Sequence, residues 1–287
     1  VKPSPFSYSR AESTDEAVAQ LAQHGDDAKL LAGGQSLIPM LALRLARPSA
    51  LIDVSRIGDL RYAVRAGDEL RIGALTRHRE LLSHDLGAGY DVLRRVVPLV
   101  GHEPIRTRGT LGGSIAHADP AAEWPLVAVL LDAELVVIGP SGRSRRVAAR
   151  DFLQGYFTTD LDYDEMLVEL RFPRPWPGAA IHEHARRHGD FALVSAAAAV
   201  DVDADGRCRE ARVALGAVSD VPVRIDAAER ALEGTRLDDS SIADVATLTA
   251  ETIDPPDDMH ASAAHRRRLA AALVKRALRE AHQRATG

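Results

Sequence analysis

Three prolines fall within five residues at Pro173-Arg174-Pro175-Trp176-Pro177-Gly178. Proline has no N–H to donate and a fixed φ, so neither a helix nor a central strand runs through such a stretch. The sequence is therefore expected to divide into residues 1–175 and residues 176–287. A chain of 287 residues is long enough for two domains with a sizeable buried core.

Before the prolines, short strands and helices alternate. Ser13, or Thr14 beside it, caps a helix with Val18 and Leu21 on one face. Lys29 to Ala32 and Leu51 to Val54 read as short strands, and Leu60 to Ala74 as a hairpin turning at Gly67-Asp68. Thr76 is placed to cap a helix through Leu82. Helices are expected over Tyr90–Val100 and Pro125–Leu131, and strands over Glu134–Ile138 and Glu165–Phe172. After the prolines come three strand-like runs (179–187, 193–202, 211–218), then helices over 223–232, 240–253 and 262–284. The last has Leu269, Leu273, Val274, Ala277, Leu278 and Ala281 at helical spacing, flanked by Arg266, Arg267, Arg268, Lys275, Arg276 and Arg279. Those cations read as a solvated face, or as a docking face for a partner. This order predicts an α+β class in both halves, not a parallel βαβ array.

Two glycine pairs carry the chemical signal. Thr110-Leu111-Gly112-Gly113-Ser114-Ile115-Ala116-His117-Ala118-Asp119-Pro120 sets paired glycines between hydroxyl side chains, just after Arg106 and Arg108. Glycine lets a backbone approach a ligand closely, and successive N–H groups in a turn can form an anion-binding concavity. One such pair also fits an ordinary tight turn. The second, Ala32-Gly33-Gly34-Gln35-Ser36-Leu37, repeats the plan after the apolar run Lys29-Leu30-Leu31. Two such turns meeting in one domain suit a ligand with two phosphates, and a dinucleotide is the natural candidate.

Other chemistries lack their residues. The sequence contains no G-x-G-x-x-G after a strand, no G-x-x-x-x-G-K-[ST] and no G-x-S-x-G. The single Cys208 forms no internal disulfide and cannot hold an iron–sulfur cluster, which needs about four thiolates. His182, His184 and His188 lie beside Arg186 and Arg187, which would repel a cation, so they read as surface histidines. A net charge of −5 does not suggest nucleic-acid binding. No apolar run reaches the roughly 18 residues of a membrane span. No signal-peptide pattern opens the sequence, so a cytoplasmic location is expected.

On these residues the chain resembles the FAD-binding medium subunit of the molybdenum hydroxylases, the group that includes bacterial carbon monoxide dehydrogenase and xanthine dehydrogenase. The likeness rests on the two glycine motifs, on Asp119-Pro120, and on Gly189-Asp190-Phe191-Ala192. A tail from Gly216-Ala217-Val218 through Pro222-Val223-Arg224 to Arg267, Leu269, Val274 and Leu278 extends it over nearly the whole length. The resemblance implies a vanillyl-alcohol-oxidase-like (PCMH-type) FAD-binding domain of two α+β subdomains over residues 1–175. A CO-dehydrogenase-flavoprotein-like C-terminal domain, an antiparallel sheet plus helices, would occupy 176–287.

FAD contacts are implied at Ala32, Gly33, Gly34, Gln35, Ser36, Leu37, Thr110, Leu111, Gly112, Gly113, Ser114, His117 and Asp119, with Phe191 near the isoalloxazine. Three positions depart from common relatives. Phe191 replaces the usual Tyr and loses its hydroxyl, Ser114 stands for Asn, and His117 for a small residue or Asn. The implied job is electron transfer in a heterotrimer, a dimer of such trimers being expected. A large molybdopterin subunit oxidises the substrate, and a small subunit passes electrons through 2Fe-2S clusters to this FAD. From FAD they go to a terminal acceptor, with no catalytic acid or base on this chain. A self-contained FAD oxidase or reductase of the same fold, and a nucleotide-binding module with no redox role, remain as alternatives.

Overall fold

The computed structural model describes residues 2–287. Its first unit runs β1 (Ser7–Arg10), α1 (Thr14–His24), β2 (Ala28–Leu31), α2 (Leu37–Ala42) and β3 (Ala50–Asp53). The three strands are parallel in the order β1-β3-β2. α1 begins where the Ser13 hydroxyl accepts from the Glu16 N–H at 3.2 Å, with Asp15 and Glu16 facing the positive end of the helix dipole. It ends at Gly25, whose φ of 63° suits glycine. Ala17, Val18 and Leu21 on its inner face pack against Ala50 and Ile52 of β3.

A second unit follows: β4 (Ala63–Ala66), β5 (Glu69–Gly73), α3 (Asp91–Val96), α4 (Glu103–Arg106), α5 (Leu111–His117), α6 (Glu123–Leu130), β6 (Glu134–Ile138), β7 (Ser144–Ala148), α7 (Ala149–Phe152), β8 (Leu153–Gly155), β9 (Thr158–Thr159) and β10 (Met166–Phe172). Its five-stranded antiparallel sheet has the order β4-β5-β10-β6-β7. All eight residues of α6 are buried, so this helix runs through the core with no solvent face. Trp124 near its start lies parallel to the buried His78 ring, 6.0 Å between centroids.

Residues 173–177 are neither helix nor strand, as the prolines require, and Trp176 is buried beneath the Arg174 guanidinium, 3.9 Å from the ring centroid. Beyond them lie β11 (Gly178–His184), β12 (Val194–Val202), β13 (Cys208–Gly216), β14 (Val223–Arg224), α8 (Asp226–Leu232), α9 (Asp239–Thr252) and α10 (Ala263–Thr286). The sheet is antiparallel in chain order. Its strands alternate with period two between two cores. Ala180, Ala196, Ala198, Val213 and Leu215 share a core with Leu273, Val274 and Ala277 of α10. Ala179, Ile181, Ala197, Ala199 and Ala214 join the core of α3, α6 and the five-stranded sheet. The run Ser195 to Val200 is thus buried on both faces. Alanine favours helix by intrinsic propensity, and tertiary burial overrides that preference here.

Several expectations change. The class is α+β, yet the first unit is a parallel β-α-β-α-β array. Its four-residue strands are too short to reveal their pairing by periodicity. Thr76 caps nothing, because its hydroxyl is engaged by the backbone of Tyr62 at 2.9 and 3.1 Å. The turn after it, His78–Leu82, is a 3-10 helix held by Glu80 accepting from the Arg77 N–H at 2.9 Å. The helix expected over Tyr90–Val100 is only Asp91–Val96. Val223-Arg224 belongs to a strand, and Arg266 is buried rather than part of a solvated face.

α10 lies so close to the sheet that a Cβ on Gly178 would stand 2.0 Å from the Ala281 carbonyl oxygen. Gly178→Val is expected to lower stability by about 1–3 kcal/mol, the usual range for overpacking. Urea unfolding of the full chain measures it, and an unchanged midpoint would contradict this packing.

Candidate cofactor site

The carboxyl ends of parallel strands are the usual place for a ligand in an α/β sheet, and the first glycine motif sits there. β2 ends at Leu31, and Ala32 to Ser36 turn the chain into α2. Gly34 has φ +71°, a region that side chains rarely adopt. A Cβ on Gly33 would lie 2.2 Å from the Arg108 carbonyl oxygen and 2.7 Å from the Gly109 Cα. The first motif therefore touches the lead-in to the second, and the two converge as their repetition suggested. Among the described residues, the N–H groups of Gly33, Gly34, Gln35, Ser36 and Leu37 donate to no carbonyl or side chain. Leaving a buried N–H unpaired costs about 1–3 kcal/mol. An anion with several acceptor oxygens satisfies such a series together.

A cavity of about 440 Å³ opens over this loop, lined by Ala32, Gly33, Gly34, Gln35 and Thr110, with Asp53, Arg61, Arg77 and Arg108 around it. Arg61 pairs with Glu80. Neither Arg77 nor Arg108 has an ion pair among the described residues, so both guanidinium groups are available to a diphosphate. At the end of β3, Asp53 accepts from the Tyr8 hydroxyl at 2.6 Å and the Ser55 N–H at 2.8 Å. Burial raises its pKa, but these hydrogen bonds and Arg10 outweigh it and hold the carboxyl below its ordinary value. The residues present fit FAD, whose diphosphate matches the N–H series and whose hydroxyls match a carboxylate acceptor. Arg61, Arg77 and Asp53 escaped notice in the sequence because only the fold brings them to the glycines.

The second motif differs from expectation. It is not a turn but the first half of α5. Thr110 is its N-cap, accepting from the Gly113 N–H at 3.1 Å. The Leu111 N–H donates to the Thr76 carbonyl at 3.0 Å, that of Gly112 to Ala74 at 2.9 Å, and that of Ser114 to Thr110 at 3.0 Å. These donors are already used, so this motif offers no anion nest. Gly112 serves packing instead, since a Cβ there would stand 2.4 Å from the Ala74 Cβ. Leu111 is buried in the core. Ser36 and Leu37 carry the cradle into α2, outside the cavity lining.

Gly113, Ser114 and His117 lie along α5, and Asp119 follows it. The His117 ring packs on Phe157 at 5.0 Å, and burial lowers its pKa against the opposing pull of Asp119. Asp119 accepts from the Ala121 N–H at 2.9 Å. Ala118 and Phe157 both have positive φ and are joined by a hydrogen bond from the Phe157 N–H to the Ala118 carbonyl at 3.1 Å. Phe191, 60% exposed, stands on the loop between β11 and β12, outside the cavity lining. That loop reaches the first half of the chain at Gly189, where a Cβ would meet the His102 ring at 2.4 Å.

Between α6 and the C-terminal sheet runs a polar seam. Glu183, Ser195 and Gly216 are paired neighbours across β11, β12 and β13, and Gly216 packs towards the Pro120 carbonyl. Burial pushes the Glu123 carboxyl up to about 8, with the charges of Glu183 and Asp119 adding to it against its own backbone N–H. Burial also pushes Glu183 up to about 7. The Ser195 hydroxyl, Glu183 Oε2 and Trp124 Nε1 are buried with no partner. Elsewhere His182 contacts Glu280 at 2.7 Å, and His188 meets the His102 ring edge-on. Among the described residues, no three His, Cys, Asp or Glu side chains gather to hold a metal. Cys208 is buried, which pushes its thiol up to about 11, as suits an inert cysteine.

Two outcomes are expected here. Gly33→Val, which drives a side chain into the Arg108 backbone, should weaken FAD binding by about tenfold or more, an effect of at least one hydrogen bond; flavin fluorescence titration reads it. The second concerns pH. Glu123 ionises near 4.5 when unfolded and near 8 when folded, so the stability it contributes is full below 4.5 and lost as pH rises through 8. Glu123→Gln should therefore lose less stability than the parent chain between pH 5 and 8.5. Equal losses in urea midpoints would show that Glu123 is ionised in the fold.

Comparison with known proteins agrees with this geometry. Residues 4–175 match the FAD binding domain in molybdopterin dehydrogenase, and residues 179–281 match the CO dehydrogenase flavoprotein C-terminal domain. The 6-hydroxypseudooxynicotine dehydrogenase complex subunit alpha of Paenarthrobacter nicotinovorans is 37% identical over 99% of this chain and 97% of its own length. The carbon monoxide dehydrogenase medium chain of Afipia carboxidovorans is 37% identical over 99% of each. A chain in the crystal structure of quinoline 2-oxidoreductase from Pseudomonas putida 86 superposes with a TM-score of 0.94 at 38% identity, covering 100% of both. The converging glycine motifs, the two-part fold and these full-length matches show that the chain belongs to the family of FAD-binding medium subunits of molybdopterin dehydrogenases.

Proposed function

We propose that this chain is the electron-transfer subunit of a heterotrimeric molybdenum hydroxylase. It takes electrons from 2Fe-2S clusters on a small subunit and delivers them through FAD to a terminal acceptor. Substrate oxidation belongs to the molybdopterin site of a large subunit. The observation that carries this reading is the run of unpaired N–H groups from Gly33 to Leu37 beside Arg77 and Arg108, a cradle suited to a dinucleotide diphosphate. FAD, when bound, supplies the exchange between one-electron and two-electron chemistry.

The protein's own residues supply binding and orientation. The N–H groups of Gly33, Gly34 and Gln35 in the cavity lining, and of Ser36 and Leu37 just beyond it, would hold the diphosphate, with Arg77 and Arg108 offsetting its charge and Asp53 available to hydroxyls. The Arg108 and Gly109 backbone packs on Gly33, and Thr110 then caps α5 by accepting from the Gly113 N–H. Ser114, His117 and Asp119 lead along α5 towards the interdomain seam, and we place the exposed Phe191, on its loop in the other half, near the isoalloxazine. We place the division between the two functional halves at residues 175 and 176, where the proline segment separates the two sheets. Placement in the cytoplasm and a dimer of heterotrimers belong to the same proposal. Among the described residues no helix is long and apolar enough to cross a membrane.

Purifying the tagged full chain from its native cells tests this. The expected complex contains FAD, iron and molybdenum on three kinds of subunit. The chain isolated from it should hold flavin that small alcohols, aldehydes and amines do not bleach. Direct bleaching by such a compound would favour a self-contained oxidase, and a complex without iron or molybdenum would overturn the proposal.

A further inference from the structure

Arg266 is the buried cation of the C-terminal helix. It is 4% exposed, whereas its neighbour Arg268 is exposed and Arg267 reaches outward to Asp254 at 2.7 Å. Its guanidinium spans three acceptors. One nitrogen donates to the carbonyl of Leu193 and to that of Ala217 at 3.1 Å, and another donates to Asp258 at 2.7 Å. Both carbonyls belong to backbone beside the seam. Leu193 closes the loop that carries Phe191, and its own N–H donates to the His184 carbonyl at 2.7 Å. Ala217, held at φ +60°, donates its N–H to the Pro120 carbonyl at 2.9 Å, one residue beyond Asp119.

Burying a guanidinium is expensive unless its donors are engaged; both terminal nitrogens of Arg266 are, while its Nε is buried with no partner. A side chain needed only for volume at this position would be met by leucine or methionine. A planar fork that reaches several oxygens at once fixes their mutual positions in a way no aliphatic side chain can. Asp258 is itself held in place, accepting from the His260 N–H at 2.8 Å and the Ala261 N–H at 2.9 Å. Those backbone hydrogen bonds, with Arg266 beside them, overcome desolvation and keep its carboxyl down at about 2, so the pair stays charged. The fork thus joins a fixed anion to two strand ends, and through Ala217 to the segment after α5.

We propose that Arg266 is a positioning residue for the flavin, setting the Phe191 loop and the Asp119-Pro120 segment at a fixed separation across the seam. The inference rests on the reading of Phe191 and Asp119 as neighbours of FAD.

The test uses the complete complex carrying Arg266→Ala, Arg266→Lys or Leu273→Ala. Leu273 is a buried core residue of the same helix, seven residues along from Arg266 and not among its hydrogen-bond partners, so its truncation lowers stability and leaves the fork's own bonds in place. Visible circular dichroism of the bound flavin and the FAD dissociation rate are read below the unfolding temperature of every variant. Arg266→Ala should alter the flavin band and speed dissociation by about tenfold, the effect of one or two lost hydrogen bonds to a charged group. Leu273→Ala should lower the unfolding temperature and leave both readouts as they were.

Arg266→Lys keeps the cation near Asp258 but has no second arm, so it should fold and still show the altered band. This variant decides the matter if Arg266→Ala does not assemble. An unchanged band and a dissociation rate within twofold for Arg266→Ala or Arg266→Lys would overturn the inference alone. A wild-type complex without flavin would overturn the cofactor reading, and this inference with it.

Discussion

The sheet of β11, β12 and β13 is buried from both sides, and the rest of the molecule depends on that. Alternate residues of β12 point to opposite cores, with Ala196 and Ala198 against α10 and Ala197 and Ala199 against the first half of the chain. Side chains this small bring α10 and α6 close to the sheet, and Gly178 takes the approach to its limit where Ala281 crosses it. The C-terminal half is therefore not an appendage on a finished domain. It supplies one wall of the core that contains Trp124, Tyr90 and Phe172.

That wall also brings the chemistry together. The parallel array places Gly33, Gly34 and Asp53 at one set of strand ends, beside Arg77 and Arg108. From there Thr110 starts a helix whose far end leads to Asp119, Glu123 and the polar face of the C-terminal sheet. A charged, N–H-rich mouth thus stands at one end of α5 and a buried polar seam with Glu183 and Ser195 beyond the other. The two ends differ in kind. One offers donors and cations to negative charge, while at the other burial pushes both carboxyls well above the usual carboxylate range.

Much of this was legible in the sequence, for identifiable reasons. The prolines from Pro173 to Pro177 stop regular structure because their backbone cannot continue it. The hairpin at Gly67-Asp68 and the long C-terminal helix followed from local periodicity. The first glycine motif was expected to turn the chain after a short strand, and Gly34 meets that with its positive φ. The second was misread because Gly112 and Gly113 owe their identity to tight packing on Ala74 and to the Thr110 cap, inside a helix that glycine ordinarily disfavours. Pairing direction in the first sheet, the burial of Arg266 and the approach of Arg61 and Arg77 to the cavity depend on contacts between distant segments. No local pattern encodes them. Ser195 to Val200 was legible as a strand, although an alanine run taken alone favours helix; what its sequence does not show is that both faces are buried.

The two-sided sheet has a consequence for how the chain is made. Synthesis proceeds from the N-terminus, and the first half leaves the ribosome with α6 and α3 still lacking the residues that cover them. Their core closes only after β12 and β13 emerge, so a long stretch of translation passes with an apolar face uncovered. Chains in that state are prone to aggregate and to need chaperones. The late, non-local closure also predicts slow folding relative to a helical protein of equal size.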